Sequence, residues 1–156
     1  MGNVNAYGSD IAAIVGTIDP DAYTTGEENT TWADMSLFHS MTAILQVGNL
    51  STSATVDFKL EEATNSTGGG AQDITMRTST EVKDITQLTT SSTDVQVVIN
   101  VRSQELDVED SYRYVRATMT VSVNSADCSA LLLGFSPRFG PASDNDNATV
   151  TEIISS

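Results

Sequence analysis

Glu105-Leu106-Asp107-Val108-Glu109-Asp110 places four acids within six residues. At that density carboxylates can hold a hard cation such as Ca²⁺. The run lacks the glycine and the spaced Asp/Asn ladder of a calcium loop, so it reads as a solvated acidic turn. Asp144-Asn145-Asp146-Asn147 starts like such a loop but has neither the glycine at its sixth position nor a closing glutamate. Asp34, Ser36 and His39 are the residue types of a hydrolytic triad, yet their closeness on a single strand or turn does not give triad geometry. Paired carboxylates can hydrolyse glycosides, but with 21 acids in 156 residues any pair is uninformative, and an aromatic content of 6% is low for a sugar cleft. Gly68-Gly69-Gly70 is followed by no lysine and no helix start, so it is a turn and not a phosphate cradle. Asn29, Asn49, Asn65 and Asn147 each begin a glycosylation sequon, as chance provides in a chain rich in Ser, Thr and Asn. The expectation is a non-enzyme with no catalytic residue, no cofactor site and no metal ligand.

Charge narrows the choice further. Seven basic residues face 21 acids, the formal net charge is −14, and the first base is Lys59. Binding to phosphates requires clustered Lys and Arg that release counterions. Nucleic acid and anionic membrane surfaces are therefore excluded as partners, and a partner with a basic surface is favoured. No apolar run approaches the roughly 20 residues needed to cross a bilayer, and the first residues carry no basic segment of a secretion signal. The single cysteine, Cys128, lies beside Leu131-Leu132-Leu133 and reads as a buried thiol, which fits synthesis in a reducing cytoplasm.

The elements that must carry any site are strands. In Thr55–Glu61, Val56, Phe58 and Leu60 share one face while Asp57, Lys59 and Glu61 share the other. This period of two marks a half-buried antiparallel strand. Tyr112–Val123 keeps the same beat, with Val115, Ala117, Met119, Val121 and Val123 inward. Val95–Val101, Ala130–Phe135 and Met41–Val47 are more continuously apolar, as central or two-sided strands are. Turn formers separate these runs at Gly48-Asn49, Asn65–Gly70, Ser91-Ser92 and Asn124–Asp127. About eight strands and no helical stripe predict an all-β fold, an antiparallel β-sandwich for which a jelly roll is one fitting arrangement. Residues 1–31 read as an extended N-terminal arm and residues 32–156 as the sandwich domain. The arm's apolar stretch Ile11–Ile18 suits either a short helix or a strand added to a neighbour's sheet edge.

Ser136-Pro137-Arg138-Phe139-Gly140-Pro141 stands apart. Its prolines and glycine fix an extended path that presents Arg138 and Phe139, types favoured as interface anchors. With Trp32 and Phe38 they are the candidate interface residues.

Several of these segments recur in a fixed order: Trp32–Phe38, Val56–Thr64, Arg102–Val108, Tyr114-Val115-Arg116 and Leu133–Ala142. In that order, over roughly residues 32–154, the chain resembles a family of small proteins encoded among the head genes of tailed bacteriophages and prophages. The resemblance carries no catalytic motif. It implies a virion component, a capsid decoration (cement) protein on the outer surface of the head. It also implies the major capsid protein as partner and self-association, with a trimer favoured at capsid three-fold positions. The alternative is a tail, neck or fibre component, or a module that binds the host surface.

Overall fold

In the computed structural model, which describes residues 5–155, the chain forms two antiparallel sheets around one core. The strands are β1 (Ala12–Tyr23), β2 (Gly26–Asn29), β3 (Ala33–Asp34), β4 (Phe38–Leu50), β5 (Thr55–Ala63), β6 (Gln72–Asp73), β7 (Val95–Arg102), β8 (Tyr114–Ser122) and β9 (Ala126–Pro137). One sheet runs in the order β1-β9-β4-β7. The other runs β2-β8-β5-β6, with β3 also paired to β8.

The pairing is nested. β1 pairs with β9, β2 with β8, β4 with β7, and β5 with β6, all antiparallel. Nested pairs describe one long hairpin rolled over itself. The remaining contacts, β4 with β9 and β5 with β8, are where successive turns of the roll meet. This is the jelly-roll arrangement of a β-sandwich.

Alternation of side chains builds the core. Met41, Ala43, Leu45 and Val47 of β4 and Ala130 and Leu132 of β9 point inward from one sheet. Val56, Phe58 and Leu60 of β5 and Val115, Ala117, Met119 and Val121 of β8 meet them from the other, and all are buried. Full burial of each Val, Leu or Phe contributes about 1.5–3 kcal/mol. Val123, expected to continue the inward face, is 70% exposed. It lies past the end of β8 in a left-handed turn (φ 71°), so the alternation stops before it.

Residues 12–23 and 26–29, read from sequence as part of an arm, are strands of the two sheets in the same chain. β1 pairs with β9 along most of its length, and β2 pairs with β8. The C-terminal segment then ties β1 from its other side. The Ile14 amide donates to Asp146 Oδ1 at 2.7 Å, and the Asn147 amide donates to the Ile14 carbonyl at 2.6 Å. The stretch Val95–Val101, expected as a central or two-sided strand, lies in β7 at a sheet edge, where β4 is its only strand partner among the described residues. Among the described residues no helix is long and apolar enough to cross a membrane.

Candidate interaction surfaces

The four candidate interface residues fall in different environments. Phe38 is a correction: it is 1% exposed, and its ring packs over Gly134 inside the core. The 3-10 turn Met35–Leu37, capped by Asp34 accepting from the Ser36 amide, swings Phe38 to the inner face of β4. Trp32 is half-buried. Arg116 stacks over its ring at 4.6 Å, and Gly68 lies beneath it, where a Cβ would come within 2.8 Å of Trp32 Nε1. Arg138 works as a staple. Its amide donates to the Leu37 carbonyl at 2.9 Å, its Nε to the Phe38 carbonyl at 3.2 Å and its Nη2 to Ser103 Oγ at 3.2 Å. Held on this staple, Phe139 projects with 75% of its surface exposed.

A shallow apolar depression of about 170 Å³ borders Arg138 at the same end of the sandwich. Met35, Leu106, Val108, Tyr112 and Arg113 also line it. Val108 is 63% exposed. The acidic run around it is partly structural. Glu105 pairs with Lys83 at 3.1 Å and accepts from the Arg102 amide at 2.7 Å. Burial alone would raise the Glu105 pKa, but these donors hold it below the usual carboxylate range.

The two outer sheet faces differ sharply in chemistry. On the β2-β8-β5-β6 sheet, Glu61 accepts from Arg116 at 2.7 Å and Thr118 at 2.9 Å and pairs with Lys59 at 3.0 Å; Lys59 also reaches Asp73 at 2.6 Å. Burial would raise the Glu61 pKa, but the hydrogen bonds from Lys59, Arg116 and Thr118 more than offset it and the pKa falls. That face is polar and internally satisfied. On the β1-β9-β4-β7 sheet the outward positions include Ile14, Ile44, Val98, Leu131, Leu133 and Phe135, an apolar stripe flanked by Ser40, Thr42, Gln46, Gln96, Asn100 and Ser129. The stripe is half-buried except for Val98, which is 54% exposed. Register makes them contiguous: Ile44 lies between Leu131 and Val98, and Leu133 lies beside Ile14. An antiparallel sheet normally turns a polar face to water, and a contiguous apolar outer face marks an interaction surface. These residues were not singled out from the sequence. Their signal was the unbroken apolar runs Ala43-Ile44-Leu45, Val97-Val98-Ile99 and Leu131-Leu132-Leu133.

The residues considered for chemistry are dispersed or engaged. Asp34 receives Ser36 N–H at 2.9 Å and Arg113 Nη2 at 2.7 Å, and His39 points to solvent from β4. Asp146 is the tie to β1 described above. No group of three or more metal-ligating side chains occurs among the described residues. A depression of about 380 Å³ is open and lies near the other end of that sheet, between Asp21, Asp94 and Asp127. Cys128 lines it, but burial, with the charge of Asp127, pushes its thiol up to about 11, far from a reactive thiolate.

One carboxylate escaped the sequence reading. Glu62, at the end of β5, is 3% exposed and accepts from Gln72 Nε2 at 2.9 Å and the Asp107 amide at 3.0 Å. No cation pairs with it among the described residues, and burial raises its pKa, an effect the two hydrogen bonds only partly oppose.

No family model matches the chain, and no curated protein matches it. Among solved structures it is similar to a chain of Broad Bean Stain Virus, with a TM-score of 0.42, 9% identity, and coverage of 91% of this chain and 94% of that one. It is likewise similar to a chain of Triatoma Virus, with a TM-score of 0.42, 9% identity, and coverage of 94% and 74%. The jelly-roll assignment above rests on this chain's own strand order.

Proposed function

We propose that the protein is a non-enzymatic structural component of a virion, and specifically a decoration protein on the outer surface of a tailed-phage head. In this reading it is made in the host cytoplasm, binds the major capsid protein, and self-associates, with a trimer at capsid three-fold positions. The carrying observation is the contrast between the two outer faces. One is a self-satisfied ionic lattice, and the other carries a contiguous apolar stripe on a chain of net charge −14. A contiguous apolar face suits docking on a protein lattice. The acidity disfavours the inside of a DNA-filled shell, where phosphate would repel it, and favours a basic patch on the coat. The ordered resemblance to phage head-gene proteins supports the same placement.

The test uses particles that lack the protein. Adding the native chain back is expected to raise the temperature at which genome is released, read with a DNA-binding dye. Leu131→Lys, at the centre of the apolar face, is expected to bind poorly and leave release unchanged. Equal release temperatures with and without the native protein would overturn the reinforcing role.

A further inference from the structure

The sheet edges are guarded unequally. β1 is covered by the C-terminal segment through Asp146 and Asn147. β2 is four residues long and carries Glu27 and Glu28; β6 is two residues long. Short, charged or covered edges are the usual defences against strand addition. β7 has none of them along most of its length. Val95-Gln96-Val97-Val98-Ile99-Asn100-Val101 contains no charge, no proline and no glycine. Inward-facing Val95 and Val97 reach the core but are only partly buried, so the edge itself leaves apolar surface uncovered. One guard touches it near its end: Lys83 Nζ donates to the Asn100 carbonyl at 2.8 Å. Lys83 is itself held by Glu105 at 3.1 Å and stays in place, and the Asn100 carbonyl, with two lone pairs, can accept a second bond.

The segment is also complementary to itself. Read against its own reverse about Val98, it sets Val97 opposite Ile99, Val95 opposite Val101 and Gln96 opposite Asn100. Apolar residues meet apolar, and amides meet amides.

We propose that β7 pairs antiparallel with β7 of a second copy, about a two-fold axis at Val98, joining two four-stranded sheets into one continuous sheet. The contact is isologous, as two-fold interfaces are. Backbone hydrogen bonds supply its attraction, and the matched apolar and amide pairs about Val98 set its register. The inference does not rest on the virion reading.

A cysteine at the axis tests it. Cross-strand Cα atoms lie about 4.5–5.5 Å apart, within the range of about 4.4–6.8 Å for a disulfide. Val98→Cys in the full chain is expected to give a disulfide-linked dimer under mild oxidation. Gln96→Cys, whose own mate would lie about 13 Å along the strand, is not. Cys128 is buried and stays out of the reaction. By sedimentation, Val98→Lys, which sets like charges opposite each other at the axis, should weaken the dimer on the order of tenfold. A chain that stays monomeric at high concentration with Val98→Cys uncrosslinked would overturn the proposal. So would a dimer indifferent to all of these variants, or a monomer whose β7 edge instead accepts a strand from a different protein.

Discussion

Gly134→Ala should destabilise the fold, because β9 passes under the Phe38 ring there with no room for a methyl group. A Cβ built at Gly134 would lie 2.7 Å from Phe38 Cε1 and Cζ and 2.8 Å from Cδ1. Ordinary carbon contacts begin near 3.5 Å, so one element must give by most of an ångström. Phe38 is 1% exposed and cannot swing into solvent. Overpacking of this kind costs about 1–3 kcal/mol. In a domain of this size each kcal/mol shifts the melting temperature by about 2–4 °C, so the expected loss is about 2–12 °C. Denaturant unfolding of native, Gly134→Ala, Phe38→Leu and the double variant forms a cycle. Leucine leaves the space the methyl group needs, so a coupling of about 0.5–3 kcal/mol is expected, with the double variant more stable than additivity predicts. A Gly134→Ala protein within about 0.5 kcal/mol of native, with no coupling to Phe38, would refute the packing described and return Phe38 to the list of surface residues.

Protonation gives two opposite signs. Glu62 has a folded pKa raised above its ordinary value, so its stabilising contribution is full in acid and is lost as pH rises through the folded pKa; Glu62→Gln sets an amide NH2 against a donor, Gln72 or the Asp107 amide, and its loss of melting temperature against the native chain should be larger at pH 4 than at pH 7. Glu61 has a lowered pKa, so its contribution is full above 4.5 and is lost as pH falls through the folded value; Glu61→Gln should lower the melting temperature at neutral pH, and the difference should shrink in acid. Cys128 should resist a thiol reagent at pH 8 in the folded protein and react at once in denaturant, since its thiol is buried and titrates near 11. Arg116→Ala removes the cation over Trp32, the only tryptophan, so the fluorescence spectrum should change and stability should drop by about 0.5–2 kcal/mol.

The strands were legible because burial on one face writes a period of two. Val56, Phe58 and Leu60 could be placed inward from their spacing alone. Other features depend on contacts that local pattern does not carry. β1 looked like an arm because Asp19-Pro20-Asp21 interrupts it and because its partner, β9, lies more than a hundred residues away. Phe38 follows a 3-10 turn that resets the face, so its type suggested an anchor while its position made it core. The runs around Ile44, Val98 and Leu131 announced apolar side chains on both faces. Sequence could not distinguish a strand covered on both sides from a sheet with an apolar outer face. Glu62 follows Glu61 in sequence, yet one is buried without a cation and the other is bound to Arg116 and Lys59, a difference set by the Gln72 and Asp107 contacts.

The most direct test of the proposed role is the copy number of this protein in purified virions, measured by quantitative mass spectrometry against the major capsid protein. The account predicts a ratio near one per capsid subunit, as a shell-wide decoration requires. A few copies per particle would place the chain in the neck, tail or fibres, and its absence from the particle would contradict the virion reading.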